Sequence, residues 1–286
     1  METVFDLKIA EIPIRFTAPF AMEVPPELRA FLTPRQEPEE RYELLAVRKP
    51  PNGDGLTPAA ELYGITVYRM PDGWLRRYHG LTAPDGEQTA GHYRSSGRST
   101  IYLPASELAR YTHRCTFAPM LAGEALFARH GAMILHSSLV RTARGALLFS
   151  GASGAGKSTQ AALWERFRGA EVLNGDRSVI RRRDGRFWGY GSPFCGSSGI
   201  YRPEGAPIRA VFFPQKSTQT ACCRVGALQA LRLLYPGLTV NSWDPEFMRV
   251  VTEQLSAFAQ EVPVFVLQCR PDETAVEAAE RALETI

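Results

Sequence analysis

The amino-acid sequence predicts a β-rich N-terminal domain at residues 1–112, followed by an α/β domain at residues 113–286. The first observation is the distribution of proline, because thirteen of the 21 prolines lie in residues 1–119 and none lies between residues 120 and 192. The second is the alternation of short apolar runs with helical patterns after residue 118, which is typical of a largely parallel, helix-covered sheet. The third is the length of 286 residues, which suits two domains.

The composition is that of an ordinary globular chain. Apolar residues make up 44% and charged residues 22% of the total, and these values exclude the disordered and fibrous classes. The formal net charge of +3 is too small to indicate a nucleic-acid or membrane partner, so neither is predicted. Lysine is scarce among the basic residues, however, because only four of the 33 are lysines: Lys8, Lys49, Lys157 and Lys216.

The cysteines and the N-terminal segment indicate the compartment. The chain has five cysteines and no C-x-x-C pair, which argues against a disulfide framework and against a zinc site. The segment METVFDLKIAEIPIRF lacks the regions of a secretory leader, and no apolar run approaches the roughly 18 residues of a membrane helix. We therefore expect a reduced, soluble, cytoplasmic protein. A homo-oligomer is compatible with the sequence but not specified by it.

Residues 1–112 are expected to be β-rich because turn-forming residues separate short apolar runs. Turns are predicted at residues 50–55, 71–73 and 84–86, strands at residues 4–16, 62–70, 74–78 and 99–103, and a short helix at residues 25–32. This half carries no chemical motif, which leaves open whether it recognises an acceptor or is purely structural.

In the second half of the chain, runs typical of strands alternate with stretches that have the periodicity of a helix. Strands are predicted at residues 133–140, 146–150, 171–173, 210–213 and 262–269, and helices at residues 118–129, 159–167, 225–234, 245–260 and 273–286. Turn signals at residues 141–145 separate the first two strands. Residues 179–182 and 186–190 are predicted to pair as a hairpin around Asp184-Gly185.

One motif carries chemistry. The pattern G-x-x-x-x-G-K-[ST] lies between a predicted strand and a predicted helix, the context of a phosphate-binding loop. Backbone N–H groups of such a loop surround phosphate oxygens, the lysine reaches the β- and γ-phosphates, and the hydroxyl ligates Mg²⁺. The alternative is a small-residue turn with a chance lysine, which the flanking strand and helix disfavour. The predicted nucleotide-binding residues are Gly151, Ala152, Ser153, Gly154, Ala155, Gly156, Lys157, Ser158 and Thr159.

An acid follows the motif at an unusually short distance. Asp176 lies 18 residues after Ser158 in the sequence, one helix and one strand later. A carboxylate returned to the phosphate end of a sheet can bind Mg²⁺ or accept a hydroxyl proton. We therefore predict Asp176 as a base and metal ligand, against the alternative of a turn residue in Asn-Gly-Asp.

His136 lies in the strand that precedes the motif strand. A neighbouring strand can bring its imidazole to the nucleotide, which makes it a candidate catalytic residue. A single histidine in an apolar run is also commonly a core residue, and by itself the pattern favours that alternative.

Together these segments resemble the core of the HPr kinase/phosphorylase family, and more distantly ATP-dependent phosphoenolpyruvate carboxykinase. The resemblance covers ILHSSL at residues 134–139, GALLFSGASGAGKS at residues 145–158 and NGD at residues 174–176. It implies a P-loop kinase domain of the HPr kinase/carboxykinase type, in which His136 matches the family histidine and Asp176 the first acid of a pair. Arg177 stands where the family has its second acid, which places the kinase/phosphorylase double activity in doubt.

Residues 190–197 and 206–214 look like HPr-kinase-like proteins of peptide-modifying clusters, some of which phosphorylate a serine of a ribosomal peptide. No segment resembles the HPr-contacting one, so the expected acceptor is not HPr. The small-residue loop at residues 191–199 is expected to approach a phosphate or an acceptor hydroxyl, with a plain flexible loop as the alternative. Arg202, Arg209 and the run at residues 181–183 are expected to be surface residues.

The sequence thus predicts an ATP-dependent phosphotransferase that uses Mg²⁺. Lys157 would hold phosphate, and Asp176 with His136 would activate a hydroxyl of a peptide, a protein or a small molecule. Two alternatives remain open: a non-catalytic ATP-binding module that holds a peptide, and a carboxykinase-like enzyme that acts on a small acid.

Overall fold

The computed structural model describes residues 2–62, 64–80, 88–113 and 116–286. The turn predicted at residues 84–86 and the side chain of Cys115 lie outside these ranges. The chain falls into two compact units, Met1–Leu126 and Phe127–Ile286, so the units divide later than the position after residue 112 that the prolines suggested. No helix in the described ranges is long and apolar enough to cross a membrane.

The first unit is β-rich and contains one sheet of eight strands in the order β1-β2-β3-β8-β7-β6-β5-β4. The pairs β2–β3 and β3–β8 are parallel, and the other neighbours are antiparallel. Its strands are β1 (Thr3–Ile9), β2 (Ile12–Ala18), β3 (Glu40–Val47), β4 (Pro58–Leu62), β5 (Ile65–Met70), β6 (Gly73–Tyr78), β7 (Thr89–Arg94) and β8 (Arg98–Pro104), with 3-10 helices at Pro26–Phe31, Ala105–Thr112 and Ala118–Leu121.

The prediction of one strand at residues 4–16 was wrong, because β1 and β2 form a tight hairpin there. The two turn residues, Ala10 and Glu11, have positive φ angles of 51° and 64°. Neither residue type signals such a turn, which glycine or asparagine usually forms. The helix predicted at residues 118–129 is likewise interrupted, since Ala122 has a φ of 45° between a 3-10 helix and α1 (Gly123–Arg129).

One face of this sheet is apolar and packs into a core. In β2 every second residue is buried, as the period of a strand with one core-facing side requires. The ring of Phe16 is stacked between those of Phe5 and Tyr42, with centroids 4.9 and 4.8 Å away. The alternate side chains, Arg15 and Thr17 among them, therefore project from the opposite face.

The second unit is a mixed α/β structure. Its principal sheet has the order β10-β9-β12-β13-β14-β16-β15, with a further pairing of β10 with β14 and with β11 beside β9. The strands are β9 (Ala132–Thr142), β10 (Gly145–Ser150), β11 (Glu171–Asn174), β12 (Arg177–Arg183), β13 (Arg186–Tyr190), β14 (Gly205–Lys216), β15 (Ala221–Arg224) and β16 (Val264–Cys269), and the helices are α2 (Lys157–Arg168), α3 (Ala227–Leu234), α4 (Pro245–Glu261) and α5 (Glu273–Leu283).

The expectation of a largely parallel sheet was wrong for this unit. Within the described ranges only β10–β14 and β14–β16 are parallel, whereas β9 is antiparallel to β10, β11 and β12. Short hairpin turns join β9 to β10 and β12 to β13, and parallel neighbours require a much longer crossover. The hairpin around Asp184-Gly185 is present as predicted.

Helices cover both faces of the sheet. Helices α2 and α5 pack on one side over Phe149, Phe212 and Phe265, whose stacked rings are 5.7 and 5.3 Å apart. Helices α3 and α4 bury apolar residues on the other side. This arrangement holds the end of β10 and the start of α2 in fixed positions, with the segment 151–156 between them.

Candidate functional site

The segment from Gly151 to Gly156 is a tight loop that only small residues can form. Gly151, Gly154 and Gly156 have positive φ angles of 141°, 75° and 103°, a region that the Cβ atom of any other residue disfavours. A Cβ at Gly151 would lie 3.2 Å from the Cβ of Ala155. The intervening residues Ala152, Ser153 and Gly154 are exposed, so a ligand can reach the backbone of the loop.

Lys157 is the first residue of α2, and its side chain folds back over the loop. Its Nζ donates to the carbonyl oxygens of Gly151 at 3.0 Å and Ala152 at 3.1 Å, and only 9% of the residue is exposed. Burial lowers the pKa of Lys157, and the negative charge of Asp176 opposes that shift. The next two residues, Ser158 and Thr159, are exposed in the first turn of the helix.

His136 and Asp176 meet at the junction of two strands. His136 lies on β9 opposite Arg177, the first residue of β12. The Nε2 atom of His136 is 3.2 Å from Oδ1 of Asp176, and the two side chains are 37% and 28% exposed. His136 is therefore not a core residue. The other half of β9 pairs with β10, where Ser137 lies opposite Ser150.

Lys157, Asp176 and His136 form one electrostatic cluster. The pKa of His136 is lowered, first by burial and then by the positive charges of Lys157 and Arg177, while the charge of Asp176 raises it. The imidazole is therefore neutral at pH 7. In that form one ring nitrogen donates and the other accepts, so Nε2–H can donate to the carboxylate of Asp176.

In metal-free buffer we expect an NMR titration to give a pKa for His136 below the ordinary value of about 6.5. The Lys157→Met variant should move this pKa upward because a nearby positive charge is lost. The pKa of His79, which burial and Arg77 lower, should stay constant in that variant. If the pKa of His136 is the same in Lys157→Met as in the wild type, His136 and Lys157 do not interact electrostatically. The pKa of His136 is lower in the folded chain than in the unfolded chain. Its contribution to the free energy of unfolding is therefore present above about pH 6.5 and is lost as the pH falls through the folded pKa.

Asn174 fixes the backbone that presents Asp176. Its Oδ1 accepts from the backbone N–H groups of Asp176 at 2.9 Å and Arg177 at 2.7 Å, and its Nδ2 donates to the carbonyl oxygen of Ser192 at 3.0 Å. Asn174 is fully buried. This turn joins the end of β11 to the start of β12, and it holds the carboxylate beside His136.

The Asn174→Ala variant should lower the free energy of unfolding by about 2–4 kcal/mol, because two amides lose their acceptor in a buried place. Chemical denaturation measures this loss. Asn52 is a matched control, since its Oδ1 accepts from Asp54 N in an exposed turn. The Asn52→Ala variant should change stability by less than about 0.5 kcal/mol. Equal losses in the two variants would contradict the assigned role of Asn174.

The loop at residues 191–199 lies directly against Asp176. Gly196 has a φ of +52°, and a Cβ there would lie 2.7 Å from Cγ of Asp176. A Cβ at Gly175 would lie 2.2 Å from Oγ of Ser198. The small residues therefore allow the loop to lie close to Asp176, and its approach to a phosphate or an acceptor hydroxyl stays a prediction. Ser192 is buried and donates to the carbonyl oxygen of Arg177 at 2.5 Å, so its hydroxyl supports the loop.

In the sequence, Arg177 was noted only because it replaces the second acid of the family pair. Its Nε lies 3.5 Å from Oδ2 of Asp176, and its Nη1 donates to Oγ1 of Thr239 at 2.6 Å. Its position directly after Asp176 was the available signal, whereas no local pattern marked Thr239. Arg202 and Arg209 are engaged elsewhere: Arg202 pairs with Glu171, and Arg209 donates to a carbonyl of α5.

Ser158 and Asp176 offer oxygen ligands of the kind that Mg²⁺ uses. In the part of the chain that the structure describes, no group of three or more His, Cys, Asp or Glu side chains is arranged to hold a metal. Mg²⁺ does not need such a cage, because it keeps several waters and is bound through one or two carboxylates and substrate phosphates. The residues therefore fit a Mg²⁺ ion that arrives with a nucleotide.

No protein-family model matches the chain, and no curated protein matches its sequence. Among solved structures, the HPr(Ser) kinase/phosphatase from Coxiella burnetii is similar, with 11% sequence identity and a TM-score of 0.31. The match covers 53% of this chain and 93% of that one. Because this similarity is so low, a function for the chain has to be argued from the geometry of the site itself.

Proposed function

We propose that this chain is an ATP-dependent phosphotransferase that transfers the γ-phosphate to a hydroxyl of a peptide, a protein or a small molecule. One observation carries the proposal. The His136–Asp176 pair lies within the electrostatic reach of Lys157, the lysine of the glycine-rich loop. A phosphate-binding loop and a candidate base are two of the parts that a protein contributes to phosphoryl transfer.

The loop would bind the phosphates of ATP. Backbone N–H groups between Gly151 and Ser158 and the positive end of α2 are suited to phosphate oxygens. Lys157 would hold the β- and γ-phosphates. Ser158 and Asp176 would hold Mg²⁺, which when bound neutralises charge on the phosphates.

Asp176 would accept the proton of the acceptor hydroxyl. The acceptor oxygen then forms a bond to the γ-phosphorus, the bond from that phosphorus to the β–γ bridging oxygen breaks, and ADP leaves. His136, as the neutral imidazole, would donate from Nε2–H to Asp176 and orient the carboxylate. Arg177, 3.5 Å from the same carboxylate, would bring positive charge close to the transferred group.

The ion pair between Arg177 and Asp176 also favours a second candidate, a module that binds ATP and a peptide without transfer. Arg177 already lies beside one oxygen of the Asp176 carboxylate, which leaves fewer lone pairs to accept a proton from an acceptor hydroxyl. In this case the nucleotide would regulate peptide binding.

Two measurements on the full chain test the proposal. Calorimetry with Mg·ATP measures binding, and radiolabelled γ-phosphate measures transfer to serine-containing peptides, proteins and small alcohols. Binding with transfer supports the kinase. Binding without transfer across the panel favours the regulatory module, and no binding at millimolar ATP rejects both.

A further inference from the structure

We propose that the outer face of the sheet in the first unit binds an acidic peptide segment through a row of arginines. Three of them occupy one line across adjacent strands: Arg15 on β2 lies opposite Arg41 on β3, and Arg41 lies opposite Arg98 on β8. Arg94, at the end of β7, donates to Oγ1 of Thr100 at 3.1 Å. We call Arg15, Arg41, Arg94 and Arg98 the arginine row.

Such a row is costly for a sheet that has no ligand. Like charges directly opposite each other on neighbouring strands are destabilising. Arg15 is balanced, because Asp6 binds its guanidinium through two contacts of 2.8 Å. Within the described ranges, Arg98 has no ion-pair partner. Arg98 is therefore the arginine of the row whose charge no ion pair in the described ranges balances.

The partners of Arg41 and Arg94 can be exchanged for a ligand. Arg41 pairs with Glu37, whose side chain is 87% exposed, and Arg94 pairs with Asp72, which is 52% exposed. Exposed ion pairs contribute about 0–1 kcal/mol. A carboxylate of a partner can therefore replace them at little cost.

The row lines a cavity of 620 Å³ on this face. Thr17, Glu43 and Thr100 form the next line across the same strands, two residues along each strand, and they line the cavity as well. With neighbouring strands about 4.8 Å apart, the row is about 14 Å long, which matches about four residues of an extended peptide. The hydroxyls can bind the peptide backbone.

The charge pattern favours a peptide over a nucleic acid. Arginine binds carboxylates through two parallel hydrogen bonds, and three of the four arginines already bind carboxylates within the chain. Glu43 would repel a chain of phosphodiesters, whereas a peptide has N–H groups to pair with it. This inference does not depend on the proposed function. A peptide that is also the phosphate acceptor would be consistent with the inference and with the proposed function.

Fluorescence anisotropy with the full chain tests the proposal. The probe is a labelled short peptide of alternating Glu and Gly, and the matched neutral probe has Gln in place of Glu. We expect the acidic probe to bind on the order of tenfold more tightly, and Arg98→Gln and Arg41→Gln each to weaken it by a similar factor. Glu43→Gln should tighten binding, because it removes the acid beside the row.

Arg29→Gln is the control, since Arg29 is an exposed arginine of the same unit that pairs with Glu23 outside the row. It should bind the acidic probe as the wild type does. Arg98→Gln should also melt no lower than the wild type, because one repulsion is removed. Equal binding of the two probes, or full binding by both row variants, overturns the proposal. Tighter binding of single-stranded DNA than of the acidic probe assigns the face to nucleic acid instead. Failure of ATP turnover leaves this result unaffected.

Discussion

Replacing Lys157 by methionine is expected to abolish phosphate transfer and to weaken ATP binding more than tenfold. The ammonium lies over the loop, bonded to the carbonyls of Gly151 and Ala152, and methionine fills similar space without charge. Loss of one preorganised donor to transferring phosphate costs about 10²–10³ in rate, and a charged hydrogen bond contributes about 1.5–3 kcal/mol to binding. Calorimetry and radiolabel transfer measure the two effects.

Lys216→Met is the matched control for this change, because Lys216 is an exposed lysine at the end of β14. It should bind ATP and transfer phosphate as the wild type does. Wild-type affinity in Lys157→Met would mean that the glycine-rich loop does not bind the nucleotide. Thermal melting shows whether each variant is folded, and burial of a neutral side chain at position 157 should not lower the melting temperature.

The second large effect is expected for Asp176→Asn, which should lower transfer by about 10²–10⁴, the contribution of a positioned general base. The amide has the shape of the carboxylate but cannot accept the proton at neutral pH. ATP binding should fall much less than transfer, since Lys157 and the loop remain. Single-turnover transfer with a true acceptor is the measurement.

Asp184→Asn is the control, because Asp184 lies in the exposed turn at the other end of β12 and has a φ of 50°, which asparagine tolerates. It should transfer phosphate normally. If Asp176→Asn transfers as fast as the wild type, the base is a different group. Asp176→Asn should also lower the pKa of His136 further, because the charge of the Asp176 carboxylate raises that pKa in the wild type.

Much of the second unit was predictable because each element depends on local signals. The glycine spacing and the apolar run before it located β10, the loop and α2, and the Asp-Gly pair located the hairpin of β12 and β13. The turn signals at residues 141–145 located the connection between β9 and β10, whereas the alternation of strands and helices predicted a largely parallel sheet. The direction of strand pairing depends on connection length, so the short turn was the better guide.

The first unit was less predictable because its signals are weaker. The hairpin at Ala10 and Glu11 has no glycine or asparagine, and β7 contains Gly91 where an apolar residue would mark a strand. The arginine row is a product of strand order, since Arg15, Arg41 and Arg98 are far apart in sequence. The contact of Gly196 with Asp176 likewise depends on a loop crossing a distant strand, which periodicity does not encode.

The pairing of β9 with both β12 and β10 determines which parts of the site can change. Ser137, next to His136, lies opposite Ser150, which directly precedes the glycine-rich loop. The histidine and the residue that precedes the loop thus belong to one hydrogen-bonded ladder. The loop at residues 191–199 lies outside that ladder, yet Gly196 lies against Asp176 and Ser192 donates to the carbonyl oxygen of Arg177. A substitution at either position is therefore expected to displace the Asp176 carboxylate while the histidine and the glycine-rich loop stay in place.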